Sequence, residues 1–219
     1  MRSVIFDLDG TLIDSAPDIH AAINRMLDEI GEEGLSDTDV RGFIGNGVAV
    51  LVERVMVARS LPIDRHRALL DIFMRHYNAN PAELTTLYPN ALNVLDGFRD
   101  RGMRMGVCTN KPEGPTRDIL AAFELSRLFD VVVGGDTLPV RKPDPAPLHR
   151  AADVVGRDAT VYVGDSEVDS ETARSARLPF ALFTEGYRKL PVEDLPHDAH
   201  FSDYAELPAI IDKLAPLPG

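Results

Sequence analysis

Two aspartates stand two residues apart where the first hydrophobic run of this 219-residue chain ends. The run Val4-Ile5-Phe6 leads directly into Asp7-Leu8-Asp9-Gly10-Thr11. A short apolar run that stops at a glycine-containing turn is typical of a buried strand in a parallel sheet, and ligands bind at the C-terminal edge of such sheets. A carboxylate beside an apolar run is costly unless a cation pairs with it. The pattern therefore predicts that Asp7 and Asp9 form a cation-dependent site rather than a simple turn or helix cap.

Polar residues also follow three later predicted strands. They are Thr109-Asn110-Lys111, Lys142 in the loop after Val133, and Gly164-Asp165-Ser166 with Asp169 four residues beyond Asp165. Taken singly, the threonine and asparagine are consistent with a turn, the lysine with a surface position, and Asp165 with a helix N-cap. Because the ends of parallel strands converge at one edge of a sheet, the joint pattern favours a single shared site.

The elements that must position these residues alternate in type along most of the chain. Helices are predicted over Ala91–Arg101, Glu113–Phe123, Ala146–Val155 and Val168–Ser175, and strands over Met105–Thr109, Asp130–Val133, Thr160–Val163 and Phe180–Phe183. This alternation predicts an α/β fold with a doubly wound, Rossmann-like parallel sheet, to which Val4–Phe6 also belongs. The proline-rich stretch from Pro191 to Pro218 is interpreted as loops and a terminal tail.

A stretch with helical patterns alone separates the first strand from the rest of the sheet. Helices are predicted over Pro17–Ile30, Asp37–Phe43, Gly47–Ser60 and Asp64–Tyr77, with Ser15 as the N-cap of the first and Gly31 as its stop. We therefore divide the chain into an α/β core, residues 1–14 and 83–219, and an inserted helical cap, residues 15–82. An insertion after the first strand emerges above the acidic pair, where it can act as a lid. Linkers near Leu12–Ala16 and Ala82–Pro89 are the predicted hinges.

Composition limits the classes of partner. The net charge of −12 disfavours nucleic acid or an anionic membrane surface as a partner. A small anionic substrate needs local cations or a metal to offset that charge. The single cysteine, Cys108, excludes an internal disulfide and is interpreted as core packing in a reducing compartment. No run approaches the ~20 apolar residues of a membrane span, and no signal-peptide pattern opens the chain. We expect a cytoplasmic monomer or homodimer.

The polar motifs together resemble those of a known superfamily. Asp7-Leu8-Asp9-Gly10-Thr11, Thr109-Asn110, Lys142-Pro143 and Gly164-Asp165-Ser166-x-x-Asp169 are similar to the four signature motifs of the haloacid-dehalogenase-like (HAD) phosphohydrolases. The resemblance extends from Val4 to about Phe183, and the insertion matches members whose cap lies between the first two motifs. Asp14-Ser15-Ala16-Pro17-Asp18, Phe43-Ile44-Gly45-Asn46-Gly47, Tyr88-Pro89 and the segment 164–169 resemble the subfamily of bacterial phosphoglycolate phosphatases.

The chain departs from that subfamily after the fourth motif. Ala176-Arg177-Leu178-Pro179 lacks the glycine that usually follows the alanine, and Thr184-Glu185-Gly186-Tyr187-Arg188 replaces an expected Trp-Gly-Tyr. The missing glycine predicts a different C-cap for the preceding helix.

The resemblance implies phosphoryl transfer through an aspartyl-phosphate. It makes Asp7 the nucleophile and Asp9 the general acid and base, since a carboxylate is already ionised at pH 7. It assigns Lys142 to charge neutralisation, and the Thr109 hydroxyl and the backbone N–H groups of Asn110 and Lys111 to the phosphoryl oxygens.

The same resemblance implies a Mg²⁺ cofactor. Asp7, the backbone carbonyl of Asp9 and Asp165 would supply hard oxygen ligands. Asp169 would support the site from outside the first coordination sphere, holding metal-bound water or orienting Lys142.

Substrate specificity is assigned to the cap. The loop Gly45-Asn46-Gly47 precedes a predicted helix, so its N–H groups are candidates to bind a substrate carboxylate, the alternative being a simple turn. Arg41, Arg54 and His20 are further candidates, for which a solvated or packing role is favoured. The resemblance to the subfamily implies hydrolysis of a small phosphorylated organic acid, with 2-phosphoglycolate first.

Other functions stay open at this point. A phosphatase or phosphomutase of sugar phosphates or nucleotides is the alternative within the superfamily, and a non-catalytic phospho-ligand-binding module is the alternative outside enzymes. Asp9 disfavours a dehalogenase, because a halide leaving group needs no proton. The absence of lysine from Ser15–Ala82 excludes the phosphonate-cleaving branch, which uses a cap lysine.

Overall fold

The first hydrophobic run forms a central strand of a six-stranded parallel sheet. A computed structural model describes residues 2–79 and 82–216 of the chain. The strands are β1 Ser3–Phe6, β2 Ile13–Asp14, β3 Thr86–Leu87, β4 Arg104–Cys108, β5 Val131–Val133, β6 Thr160–Gly164, β7 Phe180–Phe183 and β8 Ala199–Phe201. The sheet has the strand order β5-β4-β1-β6-β7-β8, and Val4 of β1 pairs with Met105 on one side and Val161 on the other. A second pair, β2 and β3, is antiparallel.

Helices cover both faces of this sheet, which confirms the predicted doubly wound α/β fold. Alternate residues of β1 enter different cores: Val4 and Phe6 belong to the core that contains Leu95 of the helix Ala91–Asp100, and Ile5 belongs to the core that contains Leu148 of the helix Ala146–Val155. No helix within the described ranges has both the length and the apolar content needed to cross a membrane. The helices are α1 Ala16–Glu29, α2 Asp37–Arg41, α3 Val48–Ala58, α4 His66–Ala79, α5 Ala91–Asp100, α6 Glu113–Ala122, α7 Ala146–Val155, α8 Glu167–Ala176 and α9 Leu207–Leu214.

Helices α1 to α4 enclose a core of their own. Its members come from the apolar stripes of α1, α3 and α4, and the rings of Phe73 and Tyr77 stack at 5.6 Å between centroids. Among the buried described residues of this cluster, Tyr187 alone comes from outside the four helices and their loops. Residues 80 and 81, near the end of the predicted insertion, lie outside the described residues.

The two segments that connect these helices to the sheet are hydrogen-bonded to each other. Ile13 and Asp14 of β2 pair with Leu87 and Thr86 of β3. Asp18 in the first turn of α1 accepts hydrogen bonds from the N–H groups of Leu84 and Thr85 and from the Thr85 hydroxyl. The predicted hinges therefore form one short ribbon, braced by a buried carboxylate, rather than two independent linkers.

The interpretation of the proline-rich end as loops and tail is wrong for residues 199–214. Strand β8 extends the sheet there, and α9 buries Leu207 and Ile211 in the main core. Pro208 stands in the first turn of α9, where a missing N–H costs no helical hydrogen bond. Residues 217–219, with Pro218, lie outside the described residues.

The prediction of a different C-cap for α8 is also wrong. Arg177 adopts the left-handed conformation, with φ 57° and ψ 41°, that glycine usually takes at this position. The N–H of Leu178 donates to the carbonyl of Ala173, which is the hydrogen bond expected where an α-helix ends at a residue in the left-handed conformation. The motif therefore survives without its glycine, at the steric cost that a side chain has in this conformation.

Arg177→Gly should raise the free energy of unfolding by about 1 kcal/mol, because the left-handed backbone strains a residue with a Cβ and glycine removes that strain. Urea unfolding measures the change. The matched control is Ser175→Gly in the same helix, which should lower stability by about 0.5–1 kcal/mol. Equal effects of the two substitutions would contradict the strain at Arg177.

Candidate active site

The ends of β1, β4 and β6 bring the predicted residues to one edge of the sheet. The N–H of Asp7 donates to the carbonyl of Val163 at 2.9 Å, so Asp7 continues the ladder beyond β1. Oxygens of Asp7, Asp165 and Asp169 all lie within 4.8 Å of one another. The ammonium of Lys142 lies 3.0 Å from Oδ1 of Asp7 and 2.7 Å from Oδ1 of Asp169. The lysine assigned to the loop after Val133 is therefore buried within this carboxylate cluster, not on the surface.

Asp169 contacts Lys142 and also caps α8, the helix to which Asp169 itself belongs. Its Oδ1 accepts from Lys142 Nζ and from the Tyr162 hydroxyl, each at 2.7 Å. Its Oδ2 accepts from the Ser166 hydroxyl at 2.6 Å and completes a capping box at the start of α8. The N-cap of α8 is Ser166, so Asp165 does not have the N-cap position that was its alternative interpretation. Asp169 therefore contacts Lys142 directly, and its predicted role in orienting that lysine stays a prediction.

The electrostatics of the cluster follow from burial. Burial, together with the charge of Asp169, raises the pKa of Asp7 to about 7 despite the attraction of Lys142. Burial also raises the pKa of Asp165 well above its usual range, with Asp169 and Asp7 as further causes. Burial opposes the charge of Lys142, but Asp169 and Asp7 outweigh it and hold the pKa of Lys142 above its ordinary value. The cluster thus has more negative charge than its own lysine balances.

Asp165 is fixed from two sides. Its Oδ1 accepts from the Thr11 hydroxyl at 2.7 Å and its Oδ2 from the N–H of Tyr187 at 2.6 Å. Gly186 makes the second approach possible, since a Cβ built on it would lie 2.3 Å from the Cβ of Asp165 and 2.3 Å from the carbonyl oxygen of Gly10. The sequence indicates only that the loop of residues 184–188 departs from the subfamily, and the hydrogen bond from Tyr187 to Asp165 is not predictable from it.

The turn at Gly10 directs Asp9 away from the carboxylate cluster. The carbonyl of Leu8 accepts hydrogen bonds from three successive N–H groups, those of residues 11 to 13, and Gly10 has φ +83°. Asp9 then accepts from the Ser15 hydroxyl at 2.6 Å and from Lys111 Nζ at 3.1 and 3.2 Å. Ser15 stands at the N-cap position of α1, but its side chain makes no cap bond. Its predicted capping role is therefore replaced by a contact to Asp9.

Lys111 joins Asp9 to helix α4. Its ammonium donates to the Tyr77 hydroxyl at 2.6 Å and lies 4.6 Å from the centroid of that ring. The sequence interpretation used only the backbone N–H of Lys111, and that group donates to the Thr109 hydroxyl at 3.3 Å. The side-chain contacts of Lys111 and Tyr77 were missed, because nothing in the local sequence indicates that residues 34 positions apart meet.

Thr109 and Asn110 stand between the sheet and the cap loop. The Asn110 amide donates to the carbonyls of Gly45 and Lys142, at 3.2 and 3.1 Å. Gly45 and Gly47 line the same pocket as Asp7 and Thr109. Asn46 instead accepts from Arg54 at 2.7 Å. The structure therefore brings the two glycines of the predicted cap loop to the pocket, and the Asn46 side chain is engaged by Arg54.

The other cationic candidates of the cap have partners of their own. Arg41 pairs with Asp14 at 3.1 Å and with Asp37 at 2.7 Å, and Arg54 donates to the carbonyl of Phe43. The ring of His20 contacts the carbonyl of Leu35. These contacts agree with the packing roles favoured for these residues.

A pocket between the sheet edge and the helices holds the candidate reacting groups. Asp7, Asp9, Thr109, Asn110 and Lys111 form its floor. The helices contribute an apolar wall made of Ile19, Ile44, Val48, Leu51, Phe73 and Met74, with Tyr77 beside them. A small ligand in this pocket would lie between Asp7 and an apolar cap surface.

The donor set fits a divalent cation. Asp7 Oδ1 is buried and has no hydrogen-bond donor of acceptable geometry, although it lies close to Lys142. Asp165 has no cationic side chain against it in the part of the chain that the structure describes. Carboxylate oxygens are the ligands that Mg²⁺ prefers. With Asp9 and Lys111 included, four carboxylates meet two ammonium groups, and one divalent cation balances the difference.

The fold and this site define a class. Residues 4–183 match the family model described as haloacid dehalogenase-like hydrolase, and the chain belongs to that family. It is therefore an enzyme of the hydrolase class, as predicted.

The chain is similar over almost its whole length to proteins named phosphoglycolate phosphatase. It is 54% identical to a phosphoglycolate phosphatase of Cereibacter sphaeroides, covering 98% of this chain and 99% of that relative. It is 41% identical to the phosphoglycolate phosphatase of Rhodobacter capsulatus, covering 96% of each. The crystal structure of a predicted phosphoglycolate phosphatase from Haemophilus somnus superposes with a TM-score of 0.91 at 32% identity, covering 96% of this chain and 97% of that one.

Gly186→Ala should lower both stability and turnover. The new methyl group would overlap Asp165 and the Gly10 carbonyl, so the loop after β7 has to move and Asp165 loses the N–H of Tyr187. We expect a loss of about 2 kcal/mol or more in the free energy of unfolding. Thermal unfolding and phosphate release measure the two effects.

Gly97→Ala is the matched control for this prediction. Gly97 lies inside α5, and a Cβ built on it meets nothing within 4 Å. The substitution should therefore stabilise the protein by about 0.5–1 kcal/mol without changing turnover. If Gly186→Ala were equally harmless, the close approach of the loop to Asp165 would not matter to the site.

Proposed function

We propose that this protein is a Mg²⁺-dependent phosphatase of small phosphorylated organic acids, with 2-phosphoglycolate as its first substrate. The observation that carries the proposal is the Asp7 carboxylate, which lines the pocket, has its Oδ1 3.0 Å from the ammonium of Lys142 and lies within 4.8 Å of oxygens of Asp165 and Asp169. The names of the similar proteins support the substrate.

Asp7 is the nucleophile in this proposal. One of its oxygens attacks phosphorus, the bond from phosphorus to the ester oxygen breaks, and an aspartyl-phosphate forms. Lys142 lies close enough to Asp7 to reduce the repulsion between the carboxylate and the phosphate dianion. Asp169 keeps the ammonium in place. The Thr109 hydroxyl and the backbone N–H of Asn110 remain the proposed donors to the phosphoryl oxygens, whereas the N–H of Lys111 has to leave the Thr109 hydroxyl to join them.

Asp9 transfers the protons. In its protonated form it donates to the departing alkoxide, and as a carboxylate it then takes a proton from the water that cleaves the aspartyl-phosphate. The contacts with Ser15 and Lys111 hold Asp9 in one orientation across the pocket from Asp7. Because Ser15 begins the helical insertion, Asp9 is positioned from both the core and the cap.

Asp7, the backbone carbonyl of Asp9 and Asp165 would hold Mg²⁺, with Asp169 supporting them. When bound, the ion offsets negative charge on the phosphate and on Asp7. Thr11 and Tyr187 hold Asp165 with an oxygen within 4.8 Å of an Asp7 oxygen.

The helices of residues 15–82 act as the cap in this proposal. Their apolar wall excludes water above Asp7, and the ribbon of β2 and β3 is where the cap would move relative to the core. A wall of this kind leaves little polar contact for a sugar or a nucleoside, which favours a two-carbon acid over the larger substrates. Cytoplasmic location and assembly as a monomer or homodimer stay predictions.

Phosphate release from a panel of substrates tests the proposal. The panel contains 2-phosphoglycolate, sugar phosphates, nucleotides and pyrophosphate, each assayed with Mg²⁺ and with a chelator. We expect Mg²⁺-dependent turnover with a clear preference for 2-phosphoglycolate. Turnover spread over sugar phosphates or nucleotides would contradict the substrate, and isomerised product in place of free phosphate would identify a phosphomutase.

Asp7→Asn should reduce turnover by about a thousandfold or more, because an amide has no charged oxygen to attack phosphorus. The side chain keeps its shape, so the variant should remain folded and should still bind inorganic phosphate. Circular dichroism and calorimetry provide those two controls. A folded variant that keeps more than about a tenth of the turnover would rule out Asp7 as the nucleophile.

Asp165→Asn should separate metal binding from folding. It removes a buried negative charge that no cation in the described chain offsets, so the metal-free variant should melt about 3 °C or more above the metal-free parent. The rise in melting temperature that Mg²⁺ gives the parent should be lost. The exposed Asp100→Asn is the control and should keep that rise; a full rise in Asp165→Asn would exclude this residue as a ligand.

A further inference from the structure

The pocket contains a pair of donors that the proposed mechanism does not place on the substrate. One is the ammonium of Lys111, which is, among the described residues lining the pocket, the single cationic side chain. The other is the hydroxyl of Tyr77, which accepts from Lys111 at 2.6 Å and whose own proton meets no acceptor among residues 2–79 and 82–216. Both residues are more than nine-tenths buried. A buried hydroxyl donor without an acceptor is unfavourable unless a ligand supplies one.

We propose that Lys111 and Tyr77 form the subsite that binds the carboxylate of the substrate, and that they set the preference for phosphorylated acids. The inference rests on the proposed phosphatase function and deepens it. The phosphoryl group lies at Asp7 and Lys142, and the carboxylate lies across the pocket on the ammonium of Lys111 and the hydroxyl of Tyr77.

Lys111 can take this second partner without releasing Asp9. Its ammonium divides two hydrogen bonds over the two oxygens of Asp9, at 3.1 and 3.2 Å. One of these bonds is enough to keep the ion pair, and the Ser15 hydroxyl holds Asp9 independently at 2.6 Å. The other N–H is then available to a substrate carboxylate, which accepts from up to four directions.

The apolar wall of the pocket offers no donors to a carboxylate, so Lys111 and Tyr77 have to supply them. A carboxylate placed against Ile44, Leu51 or Phe73 loses its hydration and gains no donor, so a strongly acidic ligand has to find its partners elsewhere in the pocket. The guanidinium of Arg141 approaches Gly47, but Arg141 does not line the pocket. The other candidate donors are the N–H groups of Gly45 and Gly47 in the cap loop and of Val48 at the N-terminus of α3, which has no side-chain cap. That terminus carries only a partial charge, whereas Lys111 carries a full one.

The test compares two substrates that differ in the carboxylate alone. The ratio of kcat/KM for 2-phosphoglycolate to kcat/KM for ethyl phosphate is measured in the parent protein, Tyr77→Phe and Lys111→Met. We expect the ratio to fall about tenfold or more in Lys111→Met and by about fivefold in Tyr77→Phe. Tyr88→Phe and Lys213→Met are the matched controls outside the pocket and should keep the ratio of the parent.

The ratio distinguishes the possible roles of the pair. If Lys111 and Tyr77 only position Asp9, both substrates slow equally, the ratio stays constant, and the proposal is overturned. Val48→Pro tests the helix terminus, because proline is well tolerated at the first helical position and removes that N–H. A ratio that falls in Val48→Pro but not in Tyr77→Phe would place the carboxylate at α3 and would equally overturn the proposal.

A binding measurement covers the case in which a variant loses its activity. Calorimetry with phosphonoacetate and with ethylphosphonate, neither of which has an ester bond, gives the same comparison without turnover. Tyr77→Phe should weaken phosphonoacetate alone, and equal weakening of both ligands would contradict the subsite. A parent protein that shows no preference for 2-phosphoglycolate over ethyl phosphate would instead contradict the proposed substrate, so the two failures are distinguishable.

Discussion

The ion pair of Lys142 with Asp169 and Asp7 is the interaction on which the site depends. Removing these groups from water is costly, and their attraction offsets that cost only where further hydrogen bonds satisfy the remaining atoms. Tyr162 of β6 and Ser166 at the start of α8 supply such bonds to Asp169. The loop that carries Lys142 is thereby tied to a strand and a helix that follow it in the chain. The arrangement places a permanent positive charge against the proposed nucleophile, and it requires a precise position of α8 to do so.

Asp9, the proposed general acid and base, is held by residues of both the core and the insertion. Asp9 is held by Ser15, the residue just before the first helix of the insertion, and by Lys111, which in turn contacts Tyr77 of α4. A movement of the insertion would therefore change the environment of Asp9 while leaving the pair of Asp7 and Lys142 intact. Such an arrangement couples proton transfer to the position of the helices, and charge neutralisation to the sheet.

The parts of this structure that were predictable are those with a local signal. Hydrophobic runs and their periodicity identified the sheet, most helices and the strand ends at Asp7, Thr109 and Asp165. The end of the chain was misread because prolines suggested loops, whereas Pro208 stands where α9 tolerates it. The left-handed Arg177 shows the same limit: the end of α8 adopts a conformation that the residue type disfavours. The contacts of Lys111 with Tyr77 and of Tyr187 with Asp165 join distant segments, and no spacing in the sequence encodes them.

Charge explains how an acidic protein could use an acidic substrate. The net charge of −12 opposes the approach of any phosphate, yet two of the four lysines of the chain are buried against the carboxylates of this one site. Neighbouring carboxylates hold the pKa values of both lysines above their ordinary range against the effect of burial, so both stay charged at neutral pH. The same carboxylates leave a surplus of negative charge that a divalent cation would balance. Aspartates and lysines therefore depend on each other here: without the aspartates the buried lysines would tend to lose their protons, and without the lysines and a metal ion the phosphate would be repelled.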